Sequence, residues 1–70
     1  MMPLTLTDIG EENIVKKIGG GREIKKHLED LGFAAGETVT VICSLAGNVI
    51  VNVKGTRIAV SEELARKIMV

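Results

Sequence analysis

The sequence predicts a small, partly open all-β barrel of about five short strands, with one helix inserted after the first strand and a short C-terminal helix. Three observations predict this fold class. The second half of the chain alternates apolar and polar residues with the period of half-buried strands. Glycine-containing turns separate the alternating segments. One stretch with helical spacing interrupts the strands. At 70 residues the chain forms a single domain, residues 1–70, with a thin core.

The first strand is predicted over residues 12–18, with Ile14 and Ile18 on its buried side. The run Gly19–Gly21 ends this strand and provides a flexible hinge, because glycine tolerates unusual backbone angles. The run also precedes a helix, as phosphate-binding loops do, but neither of the two common glycine motifs for phosphate is present. Nucleotide binding is therefore not predicted.

Residues 22–31 change to helical spacing, which predicts a helix that packs one apolar stripe against the sheet. The stripe consists of Ile24, Leu28 and Leu31. Gly32 follows the helix, at a position where a positive φ angle costs glycine nothing. The predicted structural turn glycines are Gly32, Gly36, Gly47 and Gly55.

Residues 38–60 predict a meander of three strands joined by turns at residues 46–48 and at Gly55. The residues predicted to face the core are Val39, Val41, Cys43 and Leu45, then Val49, Val51 and Val53, then Ile58 and Val60. Ser61 is expected to cap the last helix, because its side chain can accept a hydrogen bond from a free N–H of the first turn. Closure into a barrel would hide the sheet edges.

Composition and charge exclude several function classes. Nine Lys and Arg balance nine Asp and Glu, so the chain lacks the excess positive charge on which nucleic-acid coating proteins depend. Phe33 is the one aromatic residue, so no platform for stacking bases is expected. The single cysteine cannot form an internal disulfide, and no segment has the pattern of a signal peptide or a membrane span. A cytoplasmic protein is therefore predicted.

No arrangement of residues predicts catalysis, a cofactor or a metal site. Cys43 is expected to be a buried structural thiol, because it falls on the apolar face of its strand. His27 is interpreted as a boundary residue of the helix, since one histidine does not make the set of ligands that a tight metal site needs. Weak binding of a divalent metal there stays open. The acidic residues Asp8, Glu11 and Glu12 are interpreted as a solvated loop, because the spacing of Ca²⁺-binding loops is missing.

The exposed face of the predicted helix is the candidate partner-binding surface. Lys25 and Glu29, and likewise Lys26 and Asp30, are spaced to pair at i,i+4. Both pairs place the lysine first, which is the weaker orientation and opposes the helix dipole. Charges that do not favour the helix itself are expected where binding to a partner, and not helix stability, determines the surface residues. Phe33, just past the helix, is either the apolar anchor of this face or a plug at one end of the barrel.

Glycines and aliphatic residues recur in a specific order along nearly the whole chain. They form the run Leu28-x-x-Leu31-Gly32-Phe33-x-x-Gly36-x-x-Val39-x-Val41, and then the segment Val53–Val60 followed by Ala65-x-x-Ile68-x-Val70. This pattern resembles the FeoA family, the small cytosolic accessory proteins of bacterial ferrous-iron uptake. Ala35 and Asn48 stand where the family often has proline, and both are acceptable turn residues.

The resemblance implies an SH3-like barrel with a non-enzymatic accessory or regulatory role in ferrous-iron uptake. The implied partner is a membrane ferrous-iron transporter that carries a cytosolic GTPase domain, and contact with the membrane is expected only through that partner. The same type of domain occurs at the C-terminus of metal-dependent repressors, so a metal-responsive sensory role stays open as an alternative. Exposed barrel edges are compatible with a monomer or a weak homo-oligomer.

Overall fold

The computed structural model describes all 70 residues, from Met1 to Val70. The elements in chain order are a 3-10 turn at Leu4–Leu6, β1 Glu12–Ile14, β2 Lys17–Ile18, α1 Arg22–Asp30, β3 Thr38–Leu45, β4 Asn48–Val53, β5 Thr56–Ser61, α2 Glu62–Ala65 and β6 Ile68–Met69. A four-stranded antiparallel sheet has the order β1-β3-β4-β5, and β2 pairs with β6 in a second sheet. The prediction of a small, sheet-dominated domain with an inserted helix and a short C-terminal helix is confirmed, with six strands in place of about five.

The meander β3-β4-β5 is held by two tight hairpin turns. The loop residues are Ala46–Gly47 between β3 and β4, and Lys54–Gly55 between β4 and β5, with φ angles of 51°, 80°, 53° and 74° in that order. Positive φ at both loop positions is typical of type I′ turns, whose twist matches that of the flanking strands. Glycine meets this requirement at the second position of each loop, whereas Ala46 and Lys54 adopt it with some strain.

A β-bulge in β3 overturns two of the predicted core positions. The pairing of β3 with β4 runs regularly to Val41 and Val51 and then shifts, so that Cys43 lies opposite Ile50. The one extra residue on β3 moves the side chains that follow it to the other face of the sheet. Val39 and Val41 are buried as predicted, but Cys43 and Leu45 are exposed. The prediction of a buried structural thiol at Cys43 is therefore wrong.

The predicted first strand is in fact two short strands that belong to different sheets. Val15 lies between them and breaks the alternation, since its N–H donates to Glu37 O at 2.9 Å and its carbonyl accepts from the N–H of Gly36 at 2.8 Å. As a result Val15 is buried at 1% exposure, whereas Ile14 is 55% exposed. The predicted burial of Ile18 is confirmed, and that of Ile14 is wrong.

Helix α1 ends in a Schellman motif, which explains the position of the following aromatic ring. The N–H of Gly32 donates to Glu29 O at 2.9 Å, and the N–H of Phe33 donates to Leu28 O at 2.9 Å. Gly32 has a φ of 111°, as the motif requires. The motif directs the chain back toward the core, so the side chain of Phe33 comes to lie with that of Leu28 in the buried cluster.

The two ends of the chain lie side by side and close the second sheet. Met2 and Val70 exchange backbone hydrogen bonds of 2.9 and 2.8 Å, and Pro3 forms a bridge to Met69. Before this, Ser61 caps α2 as predicted, because its side-chain oxygen accepts from the N–H of Leu64 at 3.3 Å. The C-terminal strand β6 therefore holds both the N-terminal segment and β2.

The core is a single cluster of 14 buried side chains, all of them apolar. The largest fully buried members are Phe33, Leu4, Leu28, Ile68, Val15, Val39, Val51 and Val53. The predicted inward residues of β4 and β5 are confirmed, with Ile58 only partly buried at the edge. Because no polar side chain is buried, polar contacts with a partner can be made only by surface residues.

Candidate docking surfaces

Helix α1 presents a charged face to solvent. Its inner stripe packs on the core through Leu28, which is fully buried, with Ile24 and Leu31 partly buried beside it. The remaining positions of the nine-residue helix point outward, and the three predicted partner contacts within the helix are exposed. These are Lys25, Lys26 and Glu29. The structure thus brings the three together on one accessible helix, and their role in binding a partner stays a prediction.

The charges on α1 are not neutralised by one another. Two ion pairs with an N–O distance within 4.0 Å form, both elsewhere in the chain, and they join Lys54 to Glu37 at 3.6 Å and Arg66 to Glu62 at 3.0 Å. The spacing of Lys25 and Glu29, and of Lys26 and Asp30, does not lead to such pairs. Exposed pairs of this kind stabilise a helix little. The helix therefore keeps charged groups that are free to pair with a partner.

Phe33 does not belong to this exposed face. Its side chain has 0% exposure and packs within the core cluster. Of the two predicted roles, the plug in the barrel is confirmed and the docking anchor is wrong. The physical reason is the Schellman motif at the end of α1, because its hydrogen bonds carry the residue after Gly32 inward.

The residue types that can coordinate a metal or act as a nucleophile lie apart from one another on the surface. No group of three or more His, Cys, Asp and Glu side chains lies close enough together to hold a metal ion. His27 lies on the exposed surface of α1 and Cys43 on that of β3. The acidic residues Asp8, Glu11 and Glu12 are also exposed, as the interpretation of a solvated loop expects.

An apolar cleft at one end of the large sheet was not predicted from the sequence. It has a volume of about 250 Å³ and lies between the N-terminal segment and strands β3 and β4. Four of its eight lining residues are apolar, namely Leu4, Ile9, Val41 and Val49, and the other four are Thr5, Thr7, Ser44 and Glu62. Ile9 is 67% exposed. Leu6 and Leu45 are also exposed, at 65% and 70%, but neither lines the cleft, and Leu45 points to the face of β3 opposite to that of its neighbour Ser44. Large apolar side chains exposed around a recess are typical of interaction sites.

The cleft has no periodic signal in the sequence, because the register shift in β3 decides which of its side chains line it. Uninterrupted alternation would have placed Leu45 inside the barrel, but the shift after Val41 places Leu45 outside and leaves Ser44 at the cleft wall. The N-terminal segment is fixed beside β3 by a hydrogen bond from the N–H of Gly10 to Val41 O at 2.8 Å. Such a tertiary contact leaves no periodic pattern in the sequence.

The four predicted turn glycines all have positive φ angles, of 111°, 94°, 80° and 74° for Gly32, Gly36, Gly47 and Gly55. These glycines fix the end of α1, the entry to β3 and the two hairpins, so they set the surfaces described above. No helix of the chain has the length and hydropathy that crossing a membrane requires.

Known proteins match the chain over nearly its whole length. A family model described as the FeoA domain matches residues 2–70. A Methanocaldococcus jannaschii protein named as an Fe(2+) transport protein A is 43% identical over 70 residues, which cover all of this chain and 85% of that protein. A crystal structure of FeoA, described as an iron uptake regulatory protein, is 34% identical with a TM-score of 0.88, covering 97% of this chain and 90% of that one.

More distant solved structures share the fold. FeoA of Stenotrophomonas maltophilia in complex with zinc, described as an SH3 domain protein, is 23% identical with a TM-score of 0.83, covering 99% of this chain and 88% of that one. A manganese-dependent transcriptional repressor is 16% identical with a TM-score of 0.84, covering 94% of this chain and 38% of that one. The SH3-like fold class expected from the sequence is therefore confirmed.

Proposed function

The chain belongs to the FeoA family of ferrous-iron transport accessory proteins, and on this premise we propose that it regulates uptake by docking on the cytosolic part of a membrane ferrous-iron transporter. The observation that carries the proposal is the family match over residues 2–70, supported by a relative at 43% identity that is named for Fe(2+) transport. The protein acts without catalysis and without a resident cofactor, through the contacts of its surface.

The first part of the docking surface is the charged face of α1. Lys25, Lys26 and Glu29 are exposed and form no ion pair within 4.0 Å in the free protein. Complementary charges on the transporter's cytosolic domain would pair with them. Exposed charges of this kind mainly raise the rate of association and select the partner, and they add little affinity.

The second part is the apolar cleft, which supplies the anchor that Phe33 cannot. An interface needs a desolvated apolar centre for affinity. The exposed large apolar side chains of the chain are Met1, Met2, Leu6, Ile9, Ile14 and Leu45, and of these Ile9 lines the cleft. The recess of about 250 Å³ can receive an apolar side chain of the partner. Docking through both parts predicts that amide chemical shifts change at α1 and at the cleft together.

Titration of the ¹⁵N-labelled protein with the isolated cytosolic GTPase domain of the transporter tests the proposal. We expect saturable amide shifts at residues 25–29 and at the cleft residues Thr5, Thr7 and Ile9. The exposed Arg57 on β5 serves as an internal reference that stays unshifted. A titration without saturable shifts at any amide would contradict docking on this domain, and shifts confined to β5 would show that the docking face is wrong.

Two variants separate the contributions of charge and apolar contact. Lys25→Gln combined with Lys26→Gln should slow association and reduce its dependence on salt, because the steering charges are gone. Ile9→Ser should speed dissociation, since it removes an apolar side chain of the cleft that is 67% exposed in the free protein. Arg57→Gln is the matched control, which removes an exposed charge outside both parts and should change neither rate.

The sensory alternative has a separate test. The repressor neighbour shares only the fold, and no cluster of metal-ligating side chains forms in this chain. We therefore propose that no metal binds specifically, and that the protein is a monomer or a weak homo-oligomer. Anaerobic calorimetry with Fe²⁺ and Mn²⁺ should give no saturable heat. Saturable heat with a one-to-one stoichiometry would favour the sensory role.

A further inference from the structure

Positive charge is concentrated in one part of a chain whose net charge is zero. Six of the nine basic residues lie in residues 16–26 or at position 67, and they are Lys16, Lys17, Arg22, Lys25, Lys26 and Lys67. The only acidic residue in that segment is Glu23. Six positive charges against one negative charge give +5, so the remaining three basic and eight acidic residues give −5. The other segments, which include Glu29 and Asp30 at the end of α1, carry the compensating negative charge.

The fold brings the two segments together. Lys17 pairs with Met69 across β2 and β6, and the N–H of Gly19 donates to Lys67 O at 2.7 Å. The side chain of Lys67 then runs over Gly20, where its Cδ lies 2.9 Å from the position that a Cβ would occupy. The Cγ2 of Ile24 in α1 lies 3.2 Å from the same point. Lys67 thus joins the small sheet to the start of α1.

None of these six side chains forms an ion pair within 4.0 Å, and Glu29 and Asp30 lie one helical turn after Lys25 and Lys26 on the exposed side of α1. The two ion pairs of the chain, Lys54–Glu37 and Arg66–Glu62, use basic residues outside this group. Five of the six basic residues are exposed, and Lys67 is partly exposed. We call this surface the basic face, and it consists of Lys16, Lys17, Arg22, Lys25, Lys26 and Lys67.

The shape and composition of the basic face limit what it can bind. Of its six residues, only Lys16 borders a cleft, so the face offers no recess that would select a peptide side chain. It has no exposed aromatic side chain for stacking bases, since the one aromatic residue, Phe33, is buried. Two exposed apolar side chains lie next to the basic face in the chain. Ile14 lies two residues before Lys16, and Met1 precedes Met2, whose backbone pairs with that of Val70.

We propose that the basic face binds the surface of an anionic lipid bilayer directly. Clusters of four to eight Lys and Arg residues bind anionic lipid headgroups by charge, and exposed apolar side chains at their border enter the headgroup region. A bilayer surface matches a broad face without a recess, because its charge is spread over many mobile headgroups.

Co-sedimentation with vesicles in the absence of any transporter tests this inference. The probes are vesicles of pure phosphatidylcholine and vesicles with one part phosphatidylglycerol to two parts phosphatidylcholine. We expect binding to the anionic vesicles only. Binding should disappear when salt is raised from about 0.1 M to about 1 M, which shortens the Debye length from about 10 Å to about 3 Å.

A charge-matched pair of variants shows whether the basic face is responsible. Lys16→Gln combined with Lys17→Gln should lower the partition onto anionic vesicles about 30-fold, since each basic residue near the surface contributes roughly fivefold. Lys54→Asn combined with Arg57→Gln removes the same charge elsewhere and should lower it less than about threefold. Circular dichroism and amide spectra of both variants confirm that they fold, because all four side chains are exposed.

Three results would overturn the proposal. The first is no binding to anionic vesicles at low salt. The second is equal binding to neutral and anionic vesicles, which would indicate apolar adsorption. The third is binding of polyglutamate or an oligonucleotide through Lys16 and Lys17 where the vesicles do not bind, which would assign the face to an acidic protein or to a nucleic acid.

Discussion

Replacing Phe33 tests most sharply whether this ring holds the core together or contacts a partner. The ring is fully buried and is the largest side chain of the core cluster. Phe33→Leu keeps an apolar side chain but leaves part of the space empty, which should cost about 1–2 kcal/mol of unfolding free energy, whereas Phe33→Ala should cost about 3–5 kcal/mol. A small domain has only about 5 kcal/mol or somewhat more in total, so the alanine variant should keep at most about 2 kcal/mol and show a measurable unfolded fraction at 37 °C.

Urea unfolding followed by far-ultraviolet circular dichroism is the suitable assay, because the chain contains no tryptophan. At about 4–8 °C per kcal/mol for a domain of this size, Phe33→Leu should lower Tm by roughly 4–16 °C. Leu45→Ser, at a side chain that is 70% exposed, is the control and should change stability by less than about 0.5 kcal/mol. If Phe33→Leu leaves stability unchanged but weakens partner binding, the assignment of Phe33 to the core is refuted.

Three further predictions follow from the backbone. Ala46→Asn should stabilise the protein by about 0.5–1 kcal/mol in urea unfolding, because asparagine tolerates the φ of 51° better than alanine does, whereas Ala46→Val should destabilise it. The thiol of Cys43 should react with Ellman's reagent in the native state at nearly the rate of the unfolded chain, and strong protection would contradict the bulge. Deletion of residues 69–70 should abolish cooperative unfolding, because it removes the partners of Met2, Pro3 and Lys17, and a cooperative transition near that of the full chain would contradict this role of β6.

The parts of the fold that local rules determine could be predicted from the sequence. Helix α1 follows from the apolar spacing of Ile24, Leu28 and Leu31 and from the glycine that ends it, because both are effects within one helix. The alternation of Val49, Val51 and Val53 likewise identifies β4, which lies between two partner strands. The cap at Ser61 is again a contact between near neighbours in the chain.

The parts that depend on distant contacts could not be predicted. The bulge after Val41 adds one residue without changing the apolar alternation, so the pattern alone placed Cys43 and Leu45 inside. The break at Val15 depends on Gly36 and Glu37, about twenty residues later, and β6 is two residues long with no periodic signal of its own.

The candidate docking surfaces also divide into features that local rules determine and features that depend on distant contacts. Lys25, Lys26 and Glu29 were identified because helical spacing alone places them away from the apolar stripe, and they are exposed as expected. The burial of Phe33 is one of the two interpretations that the sequence left open, and Gly32 at the end of the helix is the signal that favours it, through the Schellman motif and its following apolar contact. The apolar cleft and the basic face both combine segments far apart in the chain, so no single window of sequence indicates them.

Uptake of radiolabelled ferrous iron tests the accessory role most directly. A host strain that has the transporter but lacks its FeoA-family protein should take up iron slowly, and this chain, supplied with its own transporter, should restore the rate. The Lys25→Gln and Lys26→Gln double variant, present at the same level and folded, should restore it only in part, whereas Arg57→Gln should restore it fully. An uptake rate that is the same with and without the chain would contradict the account.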